Sequence, residues 1–153
     1  MQPDHTEQLT QLLRARILIL DGAMGTMIQQ CRLTERDFRG LFHDHSHDLA
    51  GDNDILSLTR PETVRSIHDA YFEAGADMVE TNTFGASAVT LGEFDLSERA
   101  FEINKVAGEL AREAAESFSD GRHRWVVGSI GPGTKLPSLG NIPYDPWQAA
   151  LAE

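Results

Sequence analysis

Three short aliphatic runs, separated by amphipathic stretches of helical period, confine this chain to an α/β fold. They are Ile17 to Leu20, closed by Asp21-Gly22; Met78-Val79, leading into Glu80-Thr81-Asn82-Thr83; and Trp125-Val126-Val127, leading into Gly128-Ser129-Ile130-Gly131-Pro132. Each is short, aliphatic and followed by polar residues or glycine, the pattern of strands covered on both faces. Between the first two, Thr59-Arg60-Pro61-Glu62 opens a helix, with Thr59 or Arg60 near the cap and Pro61 in the first turn. Val64, Ile67, Tyr71 and Ala74 follow at three- and four-residue steps, and Gly75 stands where a C-terminal glycine belongs. A second helix is expected to open at the capping-box spacing Asp95 to Glu98. Its apolar stripe is Ala100, Ile103, Ala107, Leu110, Ala114 and Phe118, and Ser119-Asp120-Gly121 ends it. Shorter helices are expected over residues 5–16 and from Ala23 to Cys31, with Cys31 as a small buried helix residue and His68 as a partly exposed one.

Strand, helix, strand, helix, strand implies parallel pairing with right-handed crossovers. Two architectures satisfy this: an open doubly wound sheet and a (β/α)8 barrel. Both place ligands at the carboxyl ends of the strands. The site is therefore expected among Asp21-Gly22, Glu80 to Thr83 and Ser129 to Gly133.

Charge and hydropathy remove other classes. The formal charge is −11, from 13 Lys+Arg against 24 Asp+Glu, and no basic run is present. Such a chain repels phosphate backbones, so no nucleic-acid partner is expected. No apolar run approaches the ~20 residues of a membrane helix, and no signal peptide is visible. A cytoplasmic protein without a membrane partner is the expectation. The single cysteine, Cys31, excludes an intrachain disulfide and a multi-cysteine metal site.

Asp21 carries two readings. Beside the N-terminus of a helix, its carboxylate could hold the ammonium of an amino acid while backbone N–H groups take the carboxylate; equally, it could cap the helix. Glu80 and Asn82 share one strand face and Thr81 takes the other. A glutamate at the end of a buried strand is costly unless paired or used, so Glu80 either serves a ligand or pairs with an arginine or a loop. Ser129-Ile130-Gly131-Pro132-Gly133 could present N–H groups to a ligand. His43, His45 and His47 alternate at a spacing that could hold zinc, but in a polar stretch with no apolar frame, so a solvated loop is expected.

Asp145-Pro146-Trp147-Gln148 reads as a helix opening with Asp145 as cap and Pro146 first in the helix. The sequence then stops without a C-terminal signal. Residues 1–153 are accordingly expected to be part of one domain, cut within the helix that begins near 145. A terminal helix docked on the sheet is the other reading.

Ile19-Leu20-Asp21-Gly22-Ala23-Met24-Gly25-Thr26, Asp37-Phe38-Arg39-Gly40, Asn53-Asp54, Arg60-Pro61-Glu62, Ala74-Gly75-Ala76-Asp77, Glu80-Thr81-Asn82-Thr83-Phe84 and Gly128-Ser129-Ile130-Gly131-Pro132-Gly133 occur in an order that resembles the homocysteine-binding domain of the cobalamin-dependent methionine synthase family. The resemblance implies the N-terminal part, about three βα units, of a (β/α)8 TIM barrel. It implies that Asp21 and Gly22 help hold the amino-acid end of homocysteine, and that Glu80, Thr81, Asn82 and Ser129 line the same mouth. The implied reaction is methyl transfer from methylcobalamin to a zinc-held homocysteine thiolate. The family's zinc cysteines, one alone and two in a Gly-Gly-Cys-Cys segment, have no counterpart here, and Cys31 matches none of them. Zinc, the fourth-strand acid at the substrate amine and the cobalamin, folate and reactivation modules are thus expected outside residues 1–153. The fragment itself is expected to be inactive, cofactor-free and marginally stable, with exposed edges prone to aggregation. The competing readings are a non-catalytic association module, a betaine- or S-methylmethionine-dependent homocysteine methyltransferase, and an unrelated barrel lyase using Asp21 and Glu80 as acid and base.

Overall fold

The computed structural model describes residues 4–118 and 121–152. Its helices are α1 (Thr6–Ala15), α2 (Met24–Gln30), α3 (Glu35–Arg39), α4 (Leu56–Thr59), α5 (Pro61–Glu73), α6 (Ala88–Leu91), α7 (Ala100–Ser117) and α8 (Tyr144–Ala152). Two strands, β1 (Met78–Glu80) and β2 (Trp125–Val127), pair in parallel with Val79 opposite Val126. Parallel neighbours need a long crossover, and α6 and α7 supply it. The result is an α/β fold. None of the described helices is long and apolar enough to cross a membrane.

The first aliphatic run does not form the strand expected of it. Ile17 to Leu20 meets the sheet only at a parallel bridge from Leu20 to Met78. The cause is Asp77. Its Oδ2 accepts the Ile19 N–H at 2.9 Å, removing from the ladder a donor that a strand would use. Arg16 forks onto the same carboxylate at 2.8 and 2.6 Å, and this pairing holds the Asp77 carboxyl low, at about 2. The run is also not covered on both faces: Ile17 is 87% and Ile19 57% exposed.

Helix α5 begins as its sequence dictates, with Arg60 as cap and Pro61 in the first turn. It ends in a Schellman turn. Gly75 adopts a φ of 103°, Gly75 N donates to Phe72 O and Ala76 N to Tyr71 O, both at 3.0 Å. Its buried Val64, Ile67 and Phe72 face Ile103, Ala107, Ala111 and Ala114 of α7. The small residues of α7 let the two helices approach closely, while Phe72, Val79, Ala111, Ala114 and Ala115 seat both on β1. A second core, around Leu49, Ile55, Leu56 and Leu91, anchors the loops beneath the carboxyl ends of the strands.

Several local expectations are corrected. The Asp95–Glu98 capping box does not form, because Asp95 takes a left-handed φ of 57° that turns Leu96 inward, and α7 starts at Ala100 with no side-chain cap. Leu110 and Phe118 are half-buried, whereas Ala111 and Ala115 complete the buried stripe. The expected stop at Ser119-Asp120 lies outside the described residues. Asp145 is not a cap: α8 begins one residue earlier, placing Asp145 and Pro146 inside its first turn. Cys31 is exposed, since α2 ends at Gln30 and turns that residue outward.

His68 is fully buried rather than partly exposed, and neither ring nitrogen has a hydrogen-bond partner. Burial drives its pKa down to about 4, against a weaker opposing pull from Asp69. An unfolded histidine titrates near ~6.5, so on acidification the unfolded chain takes the proton first. Stability present above pH ~6.5 is lost progressively down to about pH 4, by about 3 kcal/mol in all. His68→Leu is expected to lack this contribution, its urea-unfolding stability rising relative to the parent's by about 3 kcal/mol as pH falls from ~6.5 to ~4. Equal slopes for the two proteins would contradict the desolvated ring.

Candidate functional site

A cleft of about 580 Å³ opens at the carboxyl ends of the strands. Asp21, Gly22, Glu80, Thr81, Asn82 and Ser129 all line it, so the structure gathers these six into one place, whereas residues 130–133 do not line it. Asp21 reaches it because Asp21 N continues the bridge, donating to Met78 O at 3.0 Å. Its carboxylate does not cap α2, whose cap is Ala23 in a left-handed conformation. Instead, Asp21 Oδ1 accepts Glu80 N at 2.9 Å. Burial, with the nearby Glu80 charge adding to it, raises the Asp21 carboxyl to about 6, partly opposed by that hydrogen bond.

Glu80 pairs with a loop: Ser129 Oγ donates to Glu80 Oε2 at 3.3 Å. Regular strand alternation lapses after Glu80, so Thr81, Asn82 and Thr83 all face the cleft. Thr81 Oγ1 accepts Ser129 N at 3.0 Å, and Thr83 Oγ1 donates to Ser129 O at 2.8 Å. Gly131 N donates to Phe84 O at 3.0 Å. Those two amides of the 129–133 turn therefore bind the neighbouring loop rather than face a ligand. At Gly131 a Cβ would stand 2.8 Å from the Phe84 ring, so only glycine fits that contact.

Asp52 and Asp54 lie outside the strand ends that the sequence singles out, in the segment just before α4. Both line the cleft. Asp52 Oδ1 accepts Asp54 N at 3.1 Å and Ile55 N at 3.4 Å, while its Oδ2 is buried without a partner. Burial raises Asp52 to about 6, and burial together with the Asp52 charge raises Asp54 to about 7. The available signal was an Asx residue two positions before another, leading into the apolar Ile55-Leu56.

The histidine trio does not form a metal centre. His45 Nε2 is 2.7 Å from Phe94 O, and the His45 and His47 rings are 6.1 Å apart. Among the described residues, no group of three or more His, Cys, Asp or Glu could hold a metal ion. Cys31 Sγ points at Met27 O, 3.5 Å away. The described residues therefore do not fit the zinc that the family resemblance implies.

Parallel strands with polar residues gathered at their carboxyl ends define an α/β protein of the strand-end-cleft class. More narrowly, the chain belongs to the homocysteine S-methyltransferase family, whose model matches residues 18–152. The methionine synthase of Mycobacterium leprae (strain TN) is 43% identical over 144 residues, covering 94% of this chain and 11% of the relative. That of Mycobacterium tuberculosis (strain ATCC 25618 / H37Rv) is 46% identical over 137 residues, covering 89% of this chain and 11% of the relative. The chain thus spans about a tenth of the length of these curated relatives. The oxidized form of the homocysteine methyltransferase MmuM from Escherichia coli superimposes with a TM-score of 0.63 at 26% identity, over 95% of this chain and 43% of that one. Its metallated form gives the same TM-score at 24% identity, over 92% and 43%.

Proposed function

We propose that this chain is the N-terminal part of a (β/α)8 methyltransferase barrel of the methionine synthase type, and that its cleft holds the amino-acid end of homocysteine. The observation that carries this reading is the half-buried Asp21 carboxylate, facing Glu80 across one cleft and destabilised by burial. An ammonium group placed between them relieves both the desolvation and the like-charge repulsion. Gly22 stands beside Asp21 in the same cleft. Thr81, Asn82 and Ser129 complete the wall. The cleft residues thus fix one end of the substrate and leave its sulfur to be presented to a methyl donor.

The methionine synthase likeness, together with coverage of 43% of the solved neighbours, supports a barrel to which this chain contributes the substrate-holding side. Zinc and methylcobalamin would supply thiolate activation and the methyl group in such an enzyme. No residue of this chain is assigned to either, and residues 1–153 by themselves are not expected to turn over.

Calorimetric titration of L-homocysteine into the full natural polypeptide carrying this sequence tests the reading. Saturable binding is expected, and 4-mercaptobutanoate, which lacks the ammonium group, is expected to bind about 10–100-fold more weakly. No homocysteine binding, or equal binding of the two thiols, would sink it.

A further inference from the structure

The segment 52–57 packs beneath the loop that follows β1, and its side chains and backbone are bonded to that loop at several points. Asn82 Nδ2 donates to Asn53 O at 2.7 Å and to Ser57 Oγ at 3.3 Å. Gly85 N donates to Asp54 Oδ1 at 3.1 Å. The other carboxylate oxygen occupies the space a side chain at Gly85 would need, since a Cβ there would stand 2.6 Å from Asp54 Oδ2. Asp52 in turn fixes Asp54 by accepting its backbone N–H. Beyond Gly85 the chain of bonds continues, because Phe84 O accepts Gly131 N from the loop after β2. The Asp54 carboxylate therefore joins the 52–57 segment to the β1 loop, and that loop is joined in turn to the β2 loop by the Phe84–Gly131 backbone bond.

We infer that Asp54 is a positioning residue, which through its hydrogen bond to Gly85 N holds the Thr83-Phe84-Gly85 loop, and with it Gly131, at the spacing the substrate cleft requires. It acts as a hydrogen-bond acceptor with a tight steric fit and not as a charge presented to the ligand. The inference rests on the homocysteine reading for its functional consequence, but the Asp54–Gly85 bond stands independently of it. An acceptor role needs only an oxygen at Oδ1, which asparagine supplies and alanine does not.

The test is a variant series in the full natural polypeptide, read in two ways: amide hydrogen exchange at Gly85 and affinity for L-homocysteine. Asp54→Ala is expected to speed Gly85 exchange and weaken homocysteine binding, each by about tenfold or more, as loss of a part-buried hydrogen bond to a carboxylate implies. Asp54→Asn is expected to keep both within about threefold of the parent. Gly85→Ala guards against a misfolded Asp54→Ala: its methyl group displaces the loop from Asp54, and it is expected to reproduce the affinity loss while the melting transition stays cooperative. The proposal is overturned if Asp54→Asn loses as much as Asp54→Ala, which would make the charge the active element. It is equally overturned if Asp54→Ala or Gly85→Ala leaves affinity unchanged. Failure of the parent protein to bind homocysteine would defeat the functional reading alone, and Gly85 exchange in the Asp54 variants would still decide the positioning bond.

Discussion

Asp21→Asn is expected to weaken homocysteine binding by about 10–100-fold while making the protein more stable at neutral pH. The two effects share one cause. The amide keeps an oxygen where Oδ1 accepts Glu80 N, so the strand end is preserved. What disappears is the charge, which burial and Glu80 disfavour in the folded protein. The folded Asp21 carboxyl titrates at about 6, above its value of ~3.9 in an unfolded chain. Its ionised form therefore costs stability above pH ~6, and the penalty vanishes as pH falls below ~4. On that basis Asp21→Asn is expected to raise the unfolding free energy by about 1–3 kcal/mol at pH 7, with the gain fading in acid. Denaturant titrations at pH 7 and pH 4, set beside calorimetry, separate the two effects. A variant that binds normally, or that is destabilised at pH 7, would refute this account of the carboxylate.

The second large effect belongs to the scaffold. Phe72 is 1% exposed and is packed against Val79, Ala111, Ala114 and Ala115, with the Phe118 ring centroid 5.4 Å away and the Arg124 guanidinium carbon 5.5 Å from its own. Truncation to alanine removes a large buried side chain that joins α5, α7 and β1, and the alanines of α7 cannot extend to refill the space. Phe72→Ala is expected to cost about 3–5 kcal/mol, a large part of the stability of an ordinary domain. Phe72→Leu, which retains most of the volume, is expected to cost less than half of that. Urea unfolding monitored by Trp125 fluorescence measures both. A loss below about 1 kcal/mol for the alanine variant would mean that this cluster does not carry the sheet.

How far the sequence disclosed this structure depended on whether each signal was local. Pro61 at the start and Gly75 at the end of α5 act within a turn of themselves, and both stand where they were expected. The strand-end rule located Asp21, Glu80 and Ser129 without reference to any family, since it needs only strand identity and polarity. Ile17 to Leu20 was misread because its ladder donor is taken by Asp77, an aspartate some sixty residues away that no pattern within the run reveals. His68 was misread by residue type: it lies one position from Ile67 on the face that buries Val64 and Phe72, so periodicity alone already placed it inside. The amides of the 129–133 turn were offered to a ligand because their true acceptors, Thr81 Oγ1 and Phe84 O, belong to another strand's loop. Asp54 escaped for the same reason, its partner Gly85 being thirty-one residues on.

The clamp between Asp77 and the Arg16–Ile19 segment bears on how the cleft comes apart. It closes a loop of about sixty residues, an entropic cost of about 4 kcal/mol that the local turns of α5 and α7 do not meet. The segment it holds touches the sheet by a single bridge, at which Ile19 O accepts Asp77 N and Met78 N, and it buries little of its aliphatic surface. Such an element has the properties of the one that frays first in a partial opening, with the α5–α7 core still intact. Asp21 follows directly on that segment. The carboxylate at the centre of the cleft is thus carried on a lightly buried part of the chain, and its residence there is governed from the opposite end of β1.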